Sequence, residues 1–198
     1  MLLSLLLLAA PFWDAKAPVD WTDVELSQLL ADSPWALFAT GSSPNLPAVP
    51  VYLATAKPVQ LAEAERERRA IAKLKLKGKT PDFDPFADEY AAWLAENSKD
   101  QIILAIRVGN RREYAEAQEL DQLEKESVLR VGKKKIQMTG YFPPSSQDPY
   151  LRIAFPRPQL QLSDKTIRFE LYLPGVAGPF RTVEFKLDTL TFAGRREL

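Results

Sequence analysis

The chain has 198 residues, its 26 Lys and Arg balance 26 Asp and Glu, and it contains no His or Cys. The missing residue types exclude imidazole general bases, Ser-His-Asp triads, thiolate nucleophiles, zinc knuckles and iron–sulfur sites. Balanced charge provides no field to hold the chain on nucleic acid or an anionic membrane, and a hydrophobic content of 46% is that of an ordinary folded protein.

The N-terminus opens with an apolar run from Leu2 to Ala10, continued by Phe12 and Trp13. It is shorter than the roughly 20 residues that span a bilayer and fits the core of a signal peptide. Ala15-Lys16-Ala17 supplies a small-x-small cleavage pattern, so residues 1–17 are expected to be a signal peptide and 18–198 a single domain. No Lys or Arg precedes the run, and Pro18 would follow the cut. The alternative is a buried N-terminal helix of a cytoplasmic protein. Sixteen prolines against eight glycines suggest stiff connections.

Thr22-x-x-Glu25 reads as a capping box, with Trp21 and Leu26 placed for a hydrophobic staple. Leu26, Leu29 and Leu30 give the apolar stripe of a short helix ending near Asp32, and a Pro-rich loop follows Ser33-Pro34-Trp35. Val51 to Ala56 is a candidate strand. A long charged helix is predicted from Pro58 toward Lys77, closed by Gly78. Its acids Glu63, Glu65 and Glu67 lie early and its bases late, as the helix dipole favours. Asp84 is placed to cap a further helix with Pro85 at its first position; Phe86, Tyr90, Trp93 and Leu94 share one face of it.

Gln101 to Val108 is almost continuously apolar and reads as a strand buried on both faces. A third charged helix is expected between Arg112 and Glu126. From Ser127 the period becomes two: Ile136/Met138, Leu151/Ile153/Phe155, Ile167/Phe169/Leu171/Leu173 and Val183/Phe185/Leu187 alternate with polar neighbours. Asp164-Lys165 marks a tight turn and Pro174 to Pro179 a hairpin loop. The expected fold is therefore α+β, an antiparallel β meander in the C-terminal half covered by helices from the N-terminal and middle segments.

Candidate chemistry is sparse. Gly78-Lys79-Thr80 resembles the end of a phosphate loop, but Lys73 stands where another Gly is needed and a helix precedes it, so a helix C-cap is expected instead. Asp82, Asp84, Asp88 and Glu89 form the densest acidic cluster. Phe86 replaces a ligand of a calcium loop, and no metal site is expected. Carboxylate-pair catalysis tolerates the absence of His and Cys, but pairing in space cannot be read from spacing. Lys133-Lys134-Lys135 sits at a hairpin turn without the aromatic clusters that stack bases. Trp21, Trp35, Tyr90 and Trp93 are core candidates first and a groove lining second.

Two stretches point beyond composition: Trp21-Thr22 to Ser33-Pro34-Trp35-Ala36, and the ending Phe185-Lys186-Leu187, Phe192-Ala193-Gly194 and Glu197-Leu198. Together with Phe155-Pro156-Arg157 and the Asp164-Lys165 turn, they resemble a group of uncharacterised signal-peptide-bearing bacterial proteins ending in a Phe-Lys-Leu strand and a Gly-x-x-Glu-Leu tail. The resemblance implies export and a shared fold, and it assigns no activity and no site residue.

The function expected from these features is an exported, non-catalytic binding or assembly protein of the bacterial envelope. It would act in the periplasm or outside the cell on an unknown envelope protein or ligand. No cofactor, nucleic acid or transmembrane span is expected, and no catalytic or binding residue is singled out. The alternative is a carboxylate-dependent, glycosidase-like hydrolase of the same compartment, favoured by a pocket holding two carboxylates, one with a raised pKa.

Overall fold

The computed structural model describes residues 10–80, 85–109 and 114–198, without the side chains of 85–87. The leader residues 2–9, Asp82 and Asp84 of the acidic cluster, the Asp84 cap, the Phe86 side chain and Arg112 lie outside the described residues. No helix among the described residues is long and apolar enough to cross a membrane.

The described residues form five α-helices: α1 (Phe12–Ala15), α2 (Asp23–Ala31), α3 (Lys57–Leu76), α4 (Pro85–Asn97) and α5 (Ala117–Glu126). The local signals act as the sequence predicts. Thr22 accepts from the Glu25 backbone while the Glu25 carboxylate accepts from the Thr22 backbone, closing the capping box of α2. At the other end of α3, Gly78 adopts φ 65°; Lys79 N donates to Leu74 O and Gly78 N to Lys75 O. That Schellman arrangement satisfies carbonyls the helix leaves open, so Gly78-Lys79 is a helix end.

The first sheet contains β1 (Ala36–Ala39), β2 (Val49–Leu53), β3 (Gln101–Arg107), β6 (Gly140–Phe142) and β7 (Tyr150–Pro156), ordered β1-β2-β3-β7-β6. The second contains β4 (Val128–Val131), β5 (Lys134–Gln137), β8 (Thr166–Tyr172) and β9 (Phe180–Lys186), ordered β5-β4-β8-β9. A small hairpin, β10 (Thr191–Phe192) with β11 (Arg195–Arg196), completes the strands. All these pairings are antiparallel, so the chain is α+β with antiparallel sheets. Backbone hydrogen bonds between Thr40 and Thr182 join the β1 edge of one sheet to the β9 edge of the other.

The C-terminal strands are not one continuous meander. β6 and β7 leave it to pair beside β3, which makes β3 a central strand buried on both faces. The two sheets share one core, in which Phe155 of β7 meets Phe169 of β8 edge to face at 5.3 Å and Phe169 meets Phe185 of β9 at 5.9 Å. The turn between β7 and β8 falls at Leu162-Ser163, and Asp164 closes it by accepting from Gln161 N. The third charged helix spans only its C-terminal part, Ala117–Glu126.

At the N-terminal side, Phe12 and Trp13 are seated on the core. Phe12 contacts Trp21, Trp13 contacts Trp35 at 5.6 Å, and Asp14 accepts from Ala193 N. A cut after Ala15 or Ala17 would remove these contacts. The other end is tied as closely: Trp35 Nε1 donates to Glu197 O and Arg157 to Leu198 O.

Three bases of α3, Arg68, Arg69 and Lys73, pair with acids of α2 or of α3 itself. Glu65 is buried, and it accepts from Arg68 and Arg69; Arg69 also donates to Asp23 and to the Trp21 carbonyl. The hydrogen bonds from Arg68, against the opposing effect of burial, and those from Arg69 pull the Glu65 carboxyl down to about 2. The ordinary value is 4.5, so this stabilisation is complete above that pH and is lost as pH falls toward 2. Glu65→Gln is therefore expected to flatten the fall in stability across that window in urea titrations run as a pH series. An unchanged slope would remove Glu65 from this role.

Candidate functional site

The site is built on one row of side chains across the first sheet. The register places Tyr52 of β2 opposite Ala105 of β3, Ala105 opposite Arg152 of β7, and Arg152 opposite Phe142 of β6. These four share a face, with only a methyl group at Ala105 between Tyr52 and Arg152. Above the row, α3 presents Gln60, Glu63, Ala64 and Glu67 at helical spacing. Facing it, α4 presents Tyr90, Ala91, Leu94 and Ala95. Between the two helices, over Arg152 and Asp148, lies a cleft of about 460 Å³, within the range of small-ligand sites.

Arg152 is the centre of the inner end. It is 8% exposed, its guanidinium carbon lies 4.4 Å from the Tyr90 ring centre, and Nη1 donates to Asp148 Oδ2. Asp148 is fixed in turn: Oδ1 accepts from Tyr150 N, while the Asp148 backbone N–H donates to the Ser145 hydroxyl. Burial would lower the Arg152 pKa. The surrounding Tyr52, Asp148, Tyr90 and Glu63 outweigh it and hold the value above the ordinary range. Arg152 is charged at every accessible pH.

The Tyr52 hydroxyl donates to Glu63 Oε1 at 2.6 Å. Glu63 is half-buried as a residue, but its carboxyl sits at the enclosed end, and burial raises its pKa although Arg152 pulls the other way. Tyr52 is pushed well up by burial and then by Glu63. Burial raises the Tyr90 pKa, Glu63 adds to that, and the neighbouring Arg152 opposes it. Tyr90 is 9% exposed, and its ring is held edge to face by Phe142. Beyond the Asp148–Arg152 pair lies a recess of opposite character, lined by Arg66 and Arg107 with Ser27, Leu30 and Tyr150.

The sequence-predicted candidates divide. Trp21 and Trp35 are core, Trp93 is partly buried against Phe142, and Tyr90 alone of the four lines this cleft. Asp88 is at the cleft and Glu89 is exposed; no metal-ligating group of three or more is found among the described residues. Lys133 to Lys135 occupy the exposed β4–β5 hairpin and edge strand. Glu170 and Glu184 lie on the wet face of the second sheet, with Glu170 paired to Arg130 at 2.8 Å. Glu63, Asp148, Arg152 and Tyr52 were not legible as a site. The available signal is Arg152 itself, a charge in a strand whose flanking residues are all apolar.

Compared with models of protein families, with curated proteins and with solved structures, the chain matches none.

Proposed function

We propose that the chain is an exported, non-catalytic binding protein of the bacterial envelope whose ligand sits in the cleft between α3 and α4. One observation carries the reading: a cleft of about 460 Å³ opens between α3 and α4 over polar groups that are held in place, the Tyr52–Glu63 and Arg152–Asp148 pairs. A cleft of this size lined by apolar side chains and a few fixed polar groups has the form of a small-ligand site. The fixed network supplies orientation without cost at the moment of binding. The leader supports export. In the envelope, the mature N-terminus is expected after Ala15 or Ala17, and intact Met1 on cytoplasmic protein would overturn that half of the reading.

The cleft half is tested by native mass spectrometry of protein purified from its bacterial host. The expected result is a retained small molecule that is lost in Ala91→Phe, a substitution that fills the cleft from an exposed helix position. Equal retention by the filled variant would overturn it.

A second reading, the carboxylate-dependent hydrolase, is favoured by one feature: Glu63, with its raised pKa, lines the same cleft as Asp148. A carboxyl with a raised pKa in the same cleft as a fixed carboxylate is the pairing that glycoside hydrolysis uses. Turnover of an aryl glycoside that disappears in Glu63→Gln would establish this reading over the first.

A further inference from the structure

The recess on the other side of the Asp148–Arg152 pair has a volume of about 530 Å³, and two arginines reach it from different elements. Arg107 ends β3 opposite Tyr150, on the face of the sheet that also carries Arg152. Arg66 follows Glu63 by about one turn of α3, and Ser27, Leu30 and Ala31 of α2 line the recess across from it. Arg68 and Arg69 of the same helix are held by acids, but neither Arg66 nor Arg107 forms an ion pair among the described residues. Asp148 is committed to Arg152, and Glu63 lines the other cleft, where it feels Arg66 without pairing with it. Arg66 and Arg107 therefore keep their charge at the recess with no counter-charge among the described residues that line it. A single exposed arginine would be solvated. Two brought to one concave place repel each other and focus a positive field there.

From this arrangement we infer that the recess is an anion site for the phosphate group of a small molecule. It is separate from the α3–α4 cleft and stands whether or not that cleft holds a ligand. A phosphate monoester brings about two negative charges at neutral pH and three acceptor oxygens. That is one charge for each guanidinium, with oxygens enough for two planar forks. A carboxylate brings half the charge and leaves one fork without a full partner. Leu30, Ala31 and Pro149 offer apolar surface to the group that carries the phosphate.

The test is calorimetric titration of the full chain with phenyl phosphate, inorganic phosphate and benzoate at one ionic strength. Both phosphates are expected to bind, and benzoate to bind about tenfold more weakly or not at all. Arg66→Gln and Arg107→Gln should each weaken phenyl phosphate by about tenfold. Their urea midpoints should match the parent, since both side chains are exposed. Arg66→Lys and Arg107→Lys should recover part of the loss, because the charge stays while the fork goes. Two controls should leave binding unchanged: Lys134→Gln, an exposed base on the β5 edge, and Ala91→Phe, which fills the α3–α4 cleft. Binding of neither phosphate would overturn the assignment, as would benzoate binding as tightly or phosphate binding that ignores both Arg→Gln substitutions. An equal loss in Lys134→Gln would replace the site with diffuse attraction, and a loss in Ala91→Phe would move the anion to the other cleft. Either result overturns the inference, and the last would leave the α3–α4 cleft standing as a ligand site.

Discussion

Phe169→Ala is expected to cost about 3–5 kcal/mol, a large share of the stability of an ordinary domain. Phe169 is fully buried on β8 and touches rings from two other strands, Phe155 on the opposite sheet and Phe185 on β9. On its own sheet it pairs with Leu129 and Val183, both buried. These neighbours are themselves packed in the core, so a cavity term adds to the lost burial. The wet face of the same strands provides the control. Glu184→Gln and Glu170→Gln should change stability by less than about 1 kcal/mol, because Glu184 is exposed and the Glu170–Arg130 pair lies at the surface. Urea midpoints at unchanged slope would measure all three. A Phe169→Ala loss no larger than that of the Glu variants would mean that the two sheets do not share a core.

Arg181→Met is expected to cost about 3 kcal/mol or more, from carbonyls left without donors at about 1–3 kcal/mol each. Arg181 points inward on β9, is 1% exposed and has no carboxylate partner among the described residues. Its guanidinium instead donates to the carbonyls of Ala177, Gly178 and Phe180, gathering the β8–β9 loop. That loop is closely packed: a Cβ on Gly178, where φ is 59°, would come within 2.5 Å of Leu46. Met keeps most of the stem but none of the donors. Lys should rescue little, because one ammonium cannot reproduce the planar fork. A gain in stability with Met would show that desolvating the guanidinium outweighs its three hydrogen bonds.

Both arginines show where the sequence stops being readable. The helix boundaries at Thr22 and Gly78 were legible because capping is decided by neighbours in the chain. The buried face of β8 and β9 was legible because alternation records which side meets the core. Arg152 and Arg181 break that rule. Arg152 occupies a polar position of an alternating strand, yet that face is covered by α3 and α4 and the residue is buried. Arg181 falls on the inward positions shared with Val183 and Phe185. Asp148 and the three carbonyls that accept from Arg181 lie within four residues of their arginines, but in or beside loops whose conformation no period records, and the Tyr90 ring reaches Arg152 from the distant α4. Glu63 was hidden for the same reason. In the sequence it is one of three acids on a charged helix, and only the register of β2 brings Tyr52 beneath it.

The aromatic seat at the N-terminal side makes the chain its own optical gauge. Trp35, Trp13, Phe12 and Trp21 contact one another in series. Three of the four tryptophans therefore emit from one small region, whose outer cover is residues 12 and 13. Loss of that cover lets water reach the indoles of Trp21 and Trp35 and removes one emitter. Fluorescence would then shift to the red and dim as the leader region is removed or unseats, while Trp93 stays in place beside Phe142. Processing and seating of the N-terminal segment can thus be followed in solution without a label.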